Sequence, residues 1–368
     1  MASFVSLPAD IHYEIVRNRD DPKNSLGWSV GEYDIYHLAQ TCRSLRSTYL
    51  QIIKHEHVRV FCNPNLPSDY FDSERLKPEF SELIEISSWS TVESIIQQVR
   101  EQCEKDPALS GRYEDVVAYL LSLSLMRGRV PYVRNLIALL PPEAWQLPLL
   151  LWLCYGKKLP DDVQRAILDC FLATRGLSLD KIQAPLDKDF LGPMSGFFLA
   201  DVCSKDKTKI VPLLITLGAD VTNPLVENPK NRHLVGDPTD KRTALVRLLD
   251  YVAGVRASEN SIFELNTFSR DWESIASAWA NNLKLLIENG ADIRPLNFSL
   301  TELFQNGGNG WGLNTVESNP AVSIGRLCQA KSTIGREYFL TEALAILEAG
   351  GASKELLQSF SVVTRRAS

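Results

Sequence analysis

The sequence predicts an all-α protein, and three observations carry that prediction. Apolar residues recur three and four positions apart in almost every readable segment, as one buried face of a helix requires. Sustained alternation bounded by hairpin turns, the mark of strands, is scarce. Three apolar segments, "LLITLGADV" (213–221), "LLIENGADI" (285–293) and "AILEAGGAS" (345–353), close on the same kind of glycine turn. A helix ending on glycine enters the left-handed region without a Cβ clash, and the chain then turns away.

The elements follow in chain order. "LPADIHYEIVR" (7–17) puts Pro8 in a first helical turn and Leu7, Ile11 and Ile15 on one face. Residues 18–33, "NRDDPKNSLGWSVGEY", are loop by composition. Asp34 is a candidate N-cap for a second helix carrying Ile35, Leu38, Ala39, Cys42 and Leu45 at helical spacing. Residues 63–80 contain Pro64, Pro67 and Pro78 without a clear period and read as a connector. Ser90 and Glu93 form a candidate capping box for a helix bearing Val92, Ile95, Ile96, Val99 and Cys103.

From residue 113 the helices arrive in pairs. "YEDVVAYLLSLSLM" precedes "PYVRNLIALL", and "LPLLLWLCYG" precedes "DDVQRAILDCFLATRG". "SGFFLADVC" pairs with "TKIVPLLITLGADV", and "TALVRLLDYVAG" with "NNLKLLIENGADI". "LTEALAILEAGGAS" is the last readable helix. One such pair cannot cover its own apolar faces, so neighbouring pairs must stack to make a core. The step from Gly218 to Gly290 is 72 residues and from Gly290 to Gly351 is 61, so insertions must interrupt the pairs. Residues 222–242 and 254–270 are the clearest of these and the candidates for substrate contact, with Trp272 and Trp279 beside the second read as core.

The glycine endings resemble the second helix of the ankyrin repeat, which closes on an apolar pair and a Gly-Ala-Asp turn. Residues 196–221, "GFFLADVCSKDKTKIVPLLITLGADV", match best, and "TALVRLL" from Thr243 matches the family's opening except that Ala244 stands for proline. Residues 113–178 share the pairing but lack the turn motif. The resemblance implies about four to six stacked units.

The N-terminal segments resemble an F-box. Leu7, Pro8, Asp10, Ile11 and Ile15 match its Leu-Pro start and first helix; Asp34, Ile35, Leu38, Thr41, Cys42, Arg43, Leu45 and Arg46 match its second. The loop around Trp28 is longer than the family's. The resemblance implies docking on a Skp-type adaptor and, through it, a cullin. Its implied anchors are Leu7, Pro8, Ile11, Ile15, Ile35, Leu38, Cys42 and Leu45, with Arg43 and Arg46 at the rim. The full expectation is an all-α chain: an F-box-like helical hairpin over 1–60, a linker and capping helix over 61–112, an ankyrin-like helical-pair solenoid over 113–355 and a tail over 356–368. Its implied role is the substrate-recognition subunit of an SCF-type ubiquitin ligase; the alternatives are a stand-alone ankyrin-like scaffold whose first hairpin is only a cap, or an unrecognised helical enzyme.

Composition narrows the remaining classes. Apolar residues at 45% and charged residues at 23% fit a folded chain, and a net charge of −6 without a basic run argues against nucleic acid. The start lacks a leader's basic and apolar regions, and "LPLLLWLCY" (147–155) is under half a membrane span, so a cytoplasmic or nuclear protein without membrane contact is expected. Seven cysteines without a CxxC pair suggest neither disulfide framework nor zinc site, but mostly buried thiols in a reducing compartment. "YGKK" (155–158) and "NGGNGWG" (306–312) lack phosphate-loop spacing. His55 and His57 point apart on a helix and read as an exposed pair, and His37 lies on a different helical face from Cys42. No enzyme, cofactor or metal is expected, and the protein substrate is not identified.

Overall fold

The computed structural model describes residues 8, 11–12, 43–66, 71, 78–205, 207, 209–222, 243–253, 272–293, 334–355 and 357–358. Among these the protein is all-helical, with twelve α-helices, two further 3₁₀ turns at Pro107–Leu109 and Leu179–Lys181, and no strand. The chain divides into two compact units, Met1–Lys181 and Ile182–Ser368.

The first unit holds seven helices: α1 (Arg43–Phe61), α2 (Pro78–Ile86), α3 (Trp89–Lys105), α4 (Arg112–Met126), α5 (Val130–Ile137), α6 (Pro142–Tyr155) and α7 (Asp161–Ala173). Charge and proline favour several starts. Glu114 and Asp115 open α4 and Asp161 and Asp162 open α7, next to the positive ends of the peptide dipoles. α5 and α6 carry proline in their first turns, where the missing N–H leaves no bond unmade. α3 starts at Trp89, before the Ser90–Glu93 box the sequence suggested. Ser88 occupies the N-cap position instead, and its hydroxyl meets those of Ser90 (2.9 Å) and Thr91 (3.1 Å) rather than a backbone N–H. The supposed connector 63–80 likewise ends in helix, since α2 begins at Pro78.

Packing in this unit is a sequence of neighbours. α1 lies on α3, α2 and α3 lie on α4, and α4 contacts both α5 and α6. α5 lies in turn on α7, so the pair α4/α5 meets the pair α6/α7 first helix to first and second to second. The buried stripe of α1, Leu45, Tyr49, Ile52, Ile53, Val60 and Phe61, follows helical spacing over its whole length. His57, Phe61, Phe71, Phe80 and Tyr119 form an aromatic cluster with ring centroids 5.3–6.4 Å apart. His57 is thus buried, its Nδ1 2.7 Å from the Ile53 carbonyl, while His55 is exposed. The exposed histidine pair expected at 55–57 is not formed, because two residues along α1 rotate by about 200° and turn the two rings to opposite sides.

The second unit contains α8 (Ser195–Cys203), α9 (Ile210–Thr216), α10 (Ala244–Ala253), α11 (Trp272–Glu288) and α12 (Ile334–Ala349). α8 packs on α9 and α10, α9 and α10 pack on α11, and α11 packs on α12. The pair α8/α9 therefore meets α10/α11 in the same like-to-like order as in the first unit. Trp279 is buried between Tyr251 and Phe339, with centroids 6.0 and 6.3 Å away, as its helical position suggested.

One turn recurs in both units. Gly218, Gly290 and Gly351 have φ of 87, 93 and 98°, in the left-handed region. After each, the alanine N–H reaches back five residues: Ala219 to Leu214, Ala291 to Leu286 and Ala352 to Leu347, each at 2.9 Å. The glycine N–H bonds three residues back, to Ile215, Ile287 and Glu348, each at 3.0 Å. This is the Schellman motif, in which the residue after glycine also packs on the helix; Ala219, Ala291 and Ala352 are buried accordingly. The same backbone pattern closes α4 at Gly128 and α7 at Gly176, where Arg129 bonds Ser124 and Leu177 bonds Leu172, both at 3.0 Å. The turn that 113–178 lacked as a motif is present there as geometry.

Candidate functional site

The site expected from the sequence is the apolar face of the N-terminal hairpin. Leu7, Ile15, Trp28, Ile35, His37, Leu38 and Cys42 lie outside the described residues. Pro8, Ile11, Arg43, Leu45 and Arg46 are described in part or in full.

Pro8 begins a turn of helix: its carbonyl accepts the N–H of Ile11 at 3.1 Å and of His12 at 3.2 Å. The turn is two-sided. Pro8 and Ile11, three apart, are exposed, with Ile11 at 43%. His12 is buried at 1% and points the other way, with Nδ1 3.1 Å from the Tyr49 hydroxyl and the rings edge to face at 5.4 Å. Burial raises the Tyr49 phenol above its ordinary value, so it stays protonated over the neutral range.

On α1, Leu45 is buried at 5% in the apolar stripe, Arg46 is exposed, and Arg43 is the first residue of the helix. The described residues therefore split the implied anchors. Pro8 and Ile11 are accessible, and Leu45 belongs to the core of its own unit. His12 and Tyr49 were not among the implied site residues. Tyr49 follows Leu45 by four, so the apolar stripe of the second helix, extended one more turn, would have found it.

The other sequence candidates lie apart from this face. "YGKK" falls at the end of α6, where Tyr155 is 42% exposed. "NGGNGWG", most of the loop 222–242, and 254–270 lie outside the described residues. The second unit has a groove of about 370 Å³ between α11 and α12, lined by Lys284, Ile287, Glu288, Ala345, Ile346 and Gly350. Among the described residues no three His, Cys, Asp or Glu side chains are grouped to hold a metal ion, and no helix is long and apolar enough to cross a membrane.

Comparison with models of known protein families, with curated proteins and with solved structures finds no match.

Proposed function

We propose that this chain is a substrate-recognition subunit of an SCF-type cullin–RING ubiquitin ligase. Its N-terminal face would dock a Skp-type adaptor, and its helical pairs would present a surface to a target protein. The reading rests on the order of two resemblances in one sequence, an F-box-like start ahead of ankyrin-like helix endings. The observation that carries it furthest is Ile11, an aliphatic side chain left 43% exposed in the Leu-Pro-x-Asp-Ile segment. An apolar group placed outward beside Pro8, on a turn whose other side is buried, is what an interface anchor requires.

Two further features support the ankyrin-like half. Helix pairs meet first to first and second to second in each unit, which is how a helical-pair repeat covers apolar faces that one pair leaves open. The Gly-Ala-Asp turn at 218–220 and its relatives at Gly290 and Gly351 share one backbone geometry.

The buried His12–Tyr49 contact and buried Leu45 favour a second reading, in which the hairpin caps the protein's own helices. Co-purification with a Skp-type adaptor separates the two. Stable binding by the full chain, abolished by Leu7→Ala with Pro8→Ala, is the expected result. No binding, or binding indifferent to that double substitution, leaves the scaffold reading.

A further inference from the structure

The groove between α11 and α12 is apolar at its centre and reaches the surface. It holds about 370 Å³, and its floor is aliphatic, formed by the half-buried Ile287 and Ile346. Its α12 wall is made of small residues: Ala345 and Ala349, four apart on one face, are exposed, and so is Gly350. Gly350 lets the end of α12 close on α11, since a Cβ there would lie 2.8 Å from Cγ2 of Ile287. Helices approach as closely as the side chains between them allow, so a wall of methyl groups leaves room for another helix to seat.

The rim supplies a second observation. Lys284 and Glu288 lie one turn apart on α11, 59% and 54% exposed, with Nζ 3.7 Å from Oε1. One chain serves this pair poorly. A base placed N-terminal to its acid is the weaker order for an ion pair on a helix. Glu288 is also the last residue of α11, where the final carbonyls already concentrate negative charge, and the last turn holds no basic residue. A cation brought to Glu288 from outside the helix therefore stabilises it.

We infer that this groove is the contact face of a symmetric dimer, in which α11 of each copy seats antiparallel in the groove of the other. The charge pattern selects a second copy as the occupant. A two-fold axis between antiparallel α11 helices sets Lys284 of each copy opposite Glu288 of the other, so a rim with one charge of each sign complements itself. A partner of one charge sign is attracted at one end of the rim and repelled at the other. The lining gives a small ligand no buried polar side chain to orient it. Ile287 and Ile346 at the centre with the charges at the edge reproduce the apolar core and polar rim of a protein interface.

The test follows the mass of the full chain by analytical ultracentrifugation from about 1 to about 300 μM, the range in which a small interface of this kind assembles. The expected result is a mass that doubles as concentration rises. Each substitution enters a two-fold face twice. Lys284→Glu and Glu288→Lys each place like charges opposite one another and weaken the dimer by roughly tenfold or more. The two together exchange the signs, restore the complementary pattern and restore the dimer. Ala349→Trp fills the groove and abolishes it. All three positions are exposed, so the fold is kept, which circular dichroism checks. A single-chain mass at every concentration overturns the proposal. So does a dimer that ignores Ala349→Trp, or one that the charge exchange fails to restore.

Discussion

The imidazole of His12 meets the hydroxyl of Tyr49, 3.1 Å from Nδ1, with both side chains buried. Thirty-seven residues separate them, and the contact ties the Pro8 turn to the middle of α1. Tyr49→Phe keeps the ring contact and removes the hydroxyl, leaving a buried imidazole nitrogen short of that partner. The expected loss is about 1–2 kcal/mol in chemical denaturation. A variant as stable as wild type would show that the bond does not hold the segment.

Ile11 and Leu45 carry the same implied role in the sequence but sit in different surroundings. Leu45→Ala opens space in the buried stripe of α1 and should cost about 2–5 kcal/mol. Ile11→Asp changes an exposed side chain and should leave the melting temperature within about a degree, a cost inside the range of ordinary surface substitutions. Its effect is expected on adaptor affinity alone, measured by calorimetric titration with a purified Skp-type adaptor. Equal destabilisation by both substitutions would place Ile11 in the core and remove it from any interface.

The three glycine turns share φ but not surroundings, which separates two costs. At Gly290 and Gly351 a Cβ would meet nothing within 4 Å, so alanine there carries only the left-handed backbone, about 1–2 kcal/mol. At Gly218 the same Cβ would lie 2.4 Å from the Asp187 carbonyl oxygen and 2.7 Å from that of Leu186. The segment is held there by the Leu186 N–H, which donates to Thr216 at 2.9 Å. Overpacking against backbone adds a further 1–3 kcal/mol or so, giving roughly 2–5 kcal/mol for Gly218→Ala. Denaturant midpoints of the three single variants decide it, and equal losses would mean that the 186–187 segment moves aside freely.

The helical class and the pairing were legible because they depend on local periodicity. α4 to α7 lie where apolar spacing placed them, give or take a turn at the ends. What periodicity could not show is which face of a helix the chain itself covers. Leu45 and Ile11 are equally apolar in the sequence, and only the folded packing, which buries the first and leaves the second exposed, distinguishes them. His57 was misplaced for the same reason, since a polar residue inside an aromatic cluster looks like surface until Phe61, Phe71 and Phe80 surround it. The turns at Gly128 and Gly176 escaped because the Schellman bonds are made by backbone, so Arg129 and Leu177 serve as well as the alanine of the motif.

The aspartate of the Gly-Ala-Asp turn gives a pH test. Burial pushes Asp220 up, but the Thr222 hydroxyl and N–H, at 2.7 and 2.9 Å, and the Lys188 ammonium, at 3.0 Å, outweigh it. The carboxyl is therefore held below its ordinary value of 3.8. A carboxylate lowered by folding contributes stability at every pH above its unfolded value, and that contribution disappears as pH falls through the lower folded value. Wild type should thus lose stability between about pH 5 and 2 more steeply than Asp220→Asn, which has no charge to lose there. At pH 7 the asparagine variant should be the less stable of the two, because Lys188 has lost its ion pair. Parallel stability curves for the two proteins across that acid range would show that Asp220 stays equally charged in the folded and unfolded chains, and the turn would then be held by its backbone bonds alone.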